Sequence, residues 1–123
     1  MNSKRKGSIA VGAAIAHFIG KGETVLLPIG DSDLYDLVVD DGKLKKIQCK
    51  YTSDKEQNGG YNIDLRTFGG YRDKTYYLKY KKGDFDFLFV YCSDGQKYLI
   101  PAEKIIDKSH IVLGIKSWNE YRL

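Results

Sequence analysis

At 123 residues the chain has the length of one ordinary domain, and its 42% hydrophobic and 13% aromatic content is enough for a single core, which excludes a disordered segment. The net charge of +4, from 20 Lys+Arg against 16 Asp+Glu, is too mild to argue by itself for a nucleic-acid partner, so the placement of the charges carries the argument. No apolar run approaches the ~20 residues of a membrane helix, and the basic start is not followed by a secretory segment with a cleavage site, so a cytoplasmic protein without a membrane partner is expected.

In chain order, residues 1–6 read as a basic tail, with Lys4, Arg5 and Lys6 solvated or near phosphates. Ser8 is placed to cap the helix that follows, and Gly20-Lys21-Gly22 to stop it. Apolar residues fall on nearly every face between them, which predicts a helix buried between the sheet and something else, such as a second subunit. His17, inside that helix, reads as a hydrogen-bonded packing residue rather than a ligand. Thr24–Ile29 reads as a strand that Pro28 places at an edge or bend. Gly30-Asp31-Ser32-Asp33 is a loop, with Asp31 and Asp33 as candidate secondary metal ligands or plain turn caps.

Leu34 to Tyr51, LYDLVVDDGKLKKIQCKY, reads as two strands joined by a tight turn. Side chains two apart share a strand face, so Gln48 and Lys50 point the same way. Asp36 joins them or not according to the turn. A two-residue Asp41-Gly42 loop puts Asp36 and Gln48 on opposite faces. A three-residue Asp40-Asp41-Gly42 loop, with Gly42 left-handed in a bulge, pairs 39 with 43 and puts them on one face; glycine at the third position fits this turn.

Beyond Tyr51, TSDKEQNGG is polar and turn-rich, and YNIDLR alternates as a half-exposed strand. Arg66 to Lys82 carries Arg66, Arg72, Lys74, Lys79, Lys81 and Lys82 against Asp73 alone, interleaved with Tyr71, Tyr76, Tyr77 and Tyr80. This reads as a basic, tyrosine-rich loop: the cations neutralise phosphates while tyrosines donate hydrogen bonds or pack on sugars and bases. Tyr71, Arg72 and Lys74 are the candidates for gripping a DNA backbone. Asp86–Cys92 reads as a central strand, Ser93-Asp94-Gly95 as its turn, Lys97–Ile100 as the return strand, and Pro101 as the start of a short helix over Ala102–Ile106. The tail, with IVLGI from Ile111 and Trp118 and Tyr121, adds a strand and an aromatic dock. Cys49 and Cys92, the only cysteines, fall in predicted strands and are expected as buried free thiols of a reducing compartment, not a zinc site.

A carboxylate (Asp36), an amide oxygen (Gln48) and an ammonium (Lys50) on one spot, with a backbone carbonyl as a further oxygen, suit a hard divalent cation such as Mg²⁺, with Mn²⁺ as the other candidate. The cation polarises a phosphoryl oxygen and lowers the pKa of bound water, and the lysine stabilises charge or orients that water. The same residues would also suit an ordinary surface hairpin with solvated charges.

The order Lys6-Gly7 at a helix start, LPIGDSDLYDLVV with Asp36, IQCKY with Gln48 and Lys50, then FDFLFVYCSDGQKYLIP, resembles the PD-(D/E)xK nuclease superfamily over roughly Lys4 to Ile106. Within it, the chain resembles small group I intron homing endonucleases and archaeal-type Holliday junction resolvases, the homing branch more closely. The resemblance implies a single restriction-endonuclease-like α/β domain, with a mixed central sheet of about five strands flanked by helices. It implies metal-dependent hydrolysis of double-stranded or branched DNA by a homodimer or homotetramer. Asp36 and Gln48 would hold the cation with the Cys49 carbonyl, and Lys50 would orient the attacking water. Two departures stand out: Gln48 replaces the usual Glu, and Val11 stands where members carry a Glu on the first helix. Val11 supports the alternative of a non-catalytic DNA-binding module that keeps the fold.

Overall fold

The computed structural model describes residues 1–30, 34–71 and 74–123, with the backbone alone at 67–71 and 74–77. The chain begins with α1 (Ser3–Gly20), so the expected basic tail is already helical. Asn2, not Ser8, is the cap: its Oδ1 accepts the Arg5 N–H at 2.8 Å, whereas the Ser8 hydroxyl donates back to the Lys4 carbonyl. Gly22, at φ +84°, closes the C-terminal end and donates its N–H to the Ile19 carbonyl.

Ala10, Ala14 and Phe18, spaced four apart, are the buried positions of α1. They pack on Leu37, Val39, Ile47, Cys49 and Phe89 of the sheet. The sheet covers one side of the helix, and the other side, with Gly12, Ala16 and Ile19, is exposed in this single chain. Its apolar character comes largely from alanine and glycine, whose small side chains carry little area that must leave water.

The main sheet is built from β1 (Thr24–Leu26), β2 (Leu37–Asp40), β3 (Leu44–Thr52), β7 (Phe87–Cys92) and β8 (Lys97–Pro101), in the order β1-β2-β3-β7-β8. All neighbours are antiparallel except β3 and β7. This is the expected mixed five-stranded α/β sheet, with β1 at an edge and its strand ending before Pro28.

The parallel β3–β7 pair needs a long crossover. In place of a helix, the crossover contains β4 (Tyr61–Asp64), β5 (Arg66–Tyr71) and β6 (Lys74–Lys79). β4 pairs with β9 (His110–Leu113), and β5 with β6, as two separate two-stranded sheets. The basic segment expected as a loop is thus largely a β-ribbon. The expected helix over Ala102–Ile106 shrinks to a 3₁₀ turn, Ala102–Lys104, and the second face of the sheet is covered mainly by strand and aromatic residues. Leu88, Val90, Cys92, Tyr98 and Ile100 pack there with Ile63, Leu65, Tyr80, Phe85, Ile111 and Leu113; Trp118 and Tyr121 seal its rim. Each fully buried large apolar side chain contributes about 1.5–3 kcal/mol. Cys49 and Cys92 are buried free thiols, as expected.

Candidate nuclease site

The β2–β3 turn has the expected three-residue length but lies one residue later. Asp40 pairs with Leu44, leaving Asp41-Gly42-Lys43 as the connection, with Gly42 at φ +109°. The Asp40 carboxylate accepts the Gly42 N–H and the Asp41 carboxylate accepts the Lys43 N–H, and these two local bonds favour the later turn. The shift moves every cross-strand partner by two residues, so it preserves which side chains share a face. The paired register ends at Leu37↔Ile47, and Asp36 and Gln48 line the same cleft just beyond it.

β2 ends its pairing at Leu37, and Asp36 finishes the ladder in a different way. Its N–H donates to the Ile47 carbonyl at 2.8 Å, and its Oδ2 accepts the Cys49 N–H at 2.8 Å. The carboxylate therefore stands where the next strand carbonyl would be. The N–H and C=O of one strand residue point to the same side, so the Cys49 carbonyl is turned toward Asp36 rather than toward β7. The Cys49 thiol belongs to the core under α1, and burial pushes its pKa up.

Asp36, Gln48, Cys49 and Lys50 line one cleft of ≈ 790 Å³, closed on the other side by the first half of α1, including Lys6, Gly7 and Val11. The position that the resemblance associates with a helix carboxylate thus faces Asp36 and is apolar here. Burial raises the Asp36 pKa above the usual carboxylate range, opposed by the Cys49 N–H and the Lys50 charge. Burial lowers the Lys50 pKa, opposed by the carboxylates of Asp64 and Asp36.

The donors facing the cleft are all oxygens: one carboxylate, one amide and one carbonyl. That set fits a hard cation such as Mg²⁺. Among the described residues no group of three His, Cys, Asp or Glu converges on one point. Asp31 and Asp33 lie outside the described residues.

Of the DNA-binding candidates, Tyr71 ends β5 and Lys74 begins β6, as Cα partners in the ribbon; Arg72 lies outside the described residues. His17 packs edge-on to Phe18 and against Phe89, with ring centroids 5.0 and 5.9 Å away, but its Nε2 has no hydrogen-bond partner. It is a packing residue without the expected hydrogen bond at that atom.

The sequence reading missed Asp64 and counted Tyr80 among the tyrosines that face DNA, whereas Tyr80 is in the core. Asp64, at the end of β4, lines a smaller cleft of ≈ 290 Å³ together with Lys50, Lys6 and Asp54. Tyr80, 2% exposed, lies under the Lys50 ammonium, which is 5.8 Å from its ring centroid. The one available signal was Asp64-x-Arg66 on an alternating strand, which marks an ion pair but no relation to Lys50.

A carboxylate and a Gln-x-Lys line one cleft of the mixed sheet, beside the start of a helix. The chain belongs to the PD-(D/E)XK endonuclease family, whose model matches residues 1–120. It is similar to a solved bacterial homing endonuclease, I-Ssp6803I, at 33% sequence identity and a TM-score of 0.85, over 99% of this chain and 89% of that one. No curated protein matches. The family's name describes a Pro-Asp and an acid two residues before a lysine; here the residues are Tyr35-Asp36 and Gln48-Cys49-Lys50.

Proposed function

We propose that this endonuclease hydrolyses DNA phosphodiester bonds with a divalent cation, Mg²⁺ or Mn²⁺, and acts as a homing-type enzyme. The observation that carries this reading is the single cleft in which Asp36, Gln48 and Lys50 converge while the Asp36–Cys49 bond turns a backbone carbonyl the same way. Asp36, the Gln48 amide oxygen and the Cys49 carbonyl would hold the cation, which supplies charge neutralisation at a phosphoryl oxygen and a more acidic bound water. The Asp36 carboxylate must be ionised for this role, and the Cys49 N–H and Lys50 both favour that form. Lys50, which lines the same cleft, would donate a hydrogen bond to the attacking water or a phosphate oxygen.

The likeness to a bacterial homing endonuclease supports the homing branch. The β5–β6 ribbon supports groove contact, because a two-stranded ribbon fits the major groove of B-DNA, and Tyr71, Arg72 and Lys74 would grip the backbone there. One small site cuts one strand, so cutting both strands takes at least two copies, a homodimer or homotetramer.

The test is incubation of the protein, with Mg²⁺, Mn²⁺ or EDTA, with a long DNA, supercoiled plasmid and a synthetic four-way junction. Discrete metal-dependent cuts in the long DNA are expected. A cleaved junction beside intact plasmid selects a junction resolvase, and retarded but uncut DNA selects a binding module. Asp36→Asn is expected to lose at least ~10²-fold in cleavage while DNA binding stays intact or tightens, because phosphate repulsion is relieved. Wild-type cleavage by Asp36→Asn ends the proposal.

A further inference from the structure

The stem of Lys50 leaves β3 on the sheet face opposite α1, and two features behind it lie outside the site described by the family's motif. One is the Tyr80 ring, which is held edge-on against Phe85 with centroids 4.9 Å apart and planes at 84°. A rigid aromatic face within ~6 Å of an ammonium attracts it through the ring quadrupole. The Tyr80 hydroxyl is buried and has no hydrogen-bond partner, so what this residue offers Lys50 is the ring.

The other is Asp64. Its strand is tied to β3 by the Thr52 hydroxyl, which donates to the Asn62 carbonyl at 2.7 Å, and by the Asn62 N–H, which donates to the Asp54 carbonyl at 2.8 Å. Its carboxylate is forked by Arg66, with Nε to Oδ1 and Nη2 to Oδ2 both at 3.0 Å, and Oδ1 also accepts the Arg66 N–H at 2.9 Å. Both oxygens are therefore engaged by the guanidinium, which suits a fixed anion better than a second metal ligand. Asp64 and Lys50 line one cleft, so the fixed carboxylate and the ammonium are neighbours there.

We infer that Asp64 and the Tyr80 ring are positioning residues that hold the Lys50 ammonium at the edge of the catalytic cleft, an inference that rests on the nuclease reading of that cleft. A lysine amine is a point charge on a flexible four-carbon stem, so its direction must come from its surroundings. Lys50 shares one cleft with Asp36 and another with Asp64, and its ammonium lies 5.8 Å from the centroid of the Tyr80 ring. Misplacing a group at the reacting centre by ~1 Å costs up to ~10²-fold in rate.

The experiment measures single-turnover nicking of supercoiled plasmid with Mg²⁺, plasmid affinity without metal, and the thermal midpoint, for wild type and for Asp64→Asn, Tyr80→Phe and Tyr80→Leu. Asp64→Asn and Tyr80→Leu are expected to slow nicking about 10–100-fold with plasmid affinity unchanged. Tyr80→Phe keeps the ring and is expected to nick at the wild-type rate. A readout independent of cleavage is the rate at which acetic anhydride acetylates Lys50, followed by peptide mass. Asp64→Asn frees the amine and is expected to raise that rate several-fold.

Wild-type nicking and acetylation rates in Asp64→Asn overturn the inference, even if Tyr80→Leu fails to fold. So does Tyr80→Phe if it slows nicking as much as Tyr80→Leu, or an affinity that falls in step with the rate. A wild-type protein that does not nick with Mg²⁺ or Mn²⁺ overturns the nuclease reading, and the catalytic part of the inference with it; the acetylation result still decides whether Asp64 holds Lys50.

Discussion

The β2–β3 and β5–β6 pairs are both antiparallel and both rich in lysine, yet their settings differ. β3 is paired on its second edge with β7 over six residues, from Ile47↔Phe87 to Thr52↔Cys92, and apolar clusters pack on both faces of the sheet around it. β5 and β6 form a sheet of two strands, with Leu78 47% exposed. A strand packed on two faces and bonded on two edges holds its side chains in fixed directions, which a catalytic constellation needs. An isolated pair of strands is marginal on its own and can adjust to a partner, which a DNA-gripping element needs. The comparison divides the proposed work accordingly, with chemistry on the first pair and contact on the second.

The sharpest way to break that division is to remove one side chain from the ribbon and one from β7, the neighbour that braces β3. Leu88 lies opposite Gln48 in the β3–β7 register and is fully buried, so Leu88→Ala is expected to cost about 2–5 kcal/mol in denaturant unfolding. Leu78→Ala, on the ribbon, is expected to stay within about 0.5 kcal/mol of wild type. Comparable losses in both would mean that the ribbon is part of the cooperative core.

A second comparison concerns the amide on β3. A carboxylate holds a hard cation better than a neutral amide, so Gln48→Glu is expected to fold and keep at least part of its cleavage. Gln48→Leu is expected to lose about 10–100-fold, the loss typical of disturbing a metal site. Equal cleavage by the two variants removes Gln48 from the site and leaves β3 with the Cys49 carbonyl and Lys50.

The smallest expected effect lies in the ribbon. Each phosphate contact adds about 0.9 to the slope of log affinity against log salt on duplex DNA. Arg72→Ala and Lys74→Ala together are expected to lower that slope by up to about two units and to weaken binding on every sequence alike. Affinity measured at three salt concentrations decides this, and an unchanged slope removes the ribbon from the DNA interface.

Much of the proposed site was legible because it depends on local geometry. The spacing of Gln48 and Lys50 puts them on one face of any strand, and glycine at 42 marks a tight turn whose residue count decides whether Asp36 joins them. The turn moved by one residue, yet the faces of the paired residues stayed as expected, because the side-chain period is two and the partners shifted by an even number. The start of α1 was misread because Ser8 and Asn2 are both good caps, and the choice depends on whether Lys4, Arg5 and Lys6 continue the helix. Charged side chains near a terminus carry no periodic apolar signal to settle that.

By itself the sequence determined the first helix, the strands of the main sheet, the buried thiols and the face shared by Gln48 and Lys50, because residue type and spacing set backbone preference and side-chain direction over a few positions. Only the tertiary structure decided that β3 pairs parallel with β7, that α1 is covered on one side in this chain, and that a β-ribbon stands in the crossover where a helix was available. It alone brought Asp64 and Tyr80 around Lys50, fourteen and thirty residues further along the chain. Contacts across such separations depend on which faces must be buried together, and no local pattern encodes that.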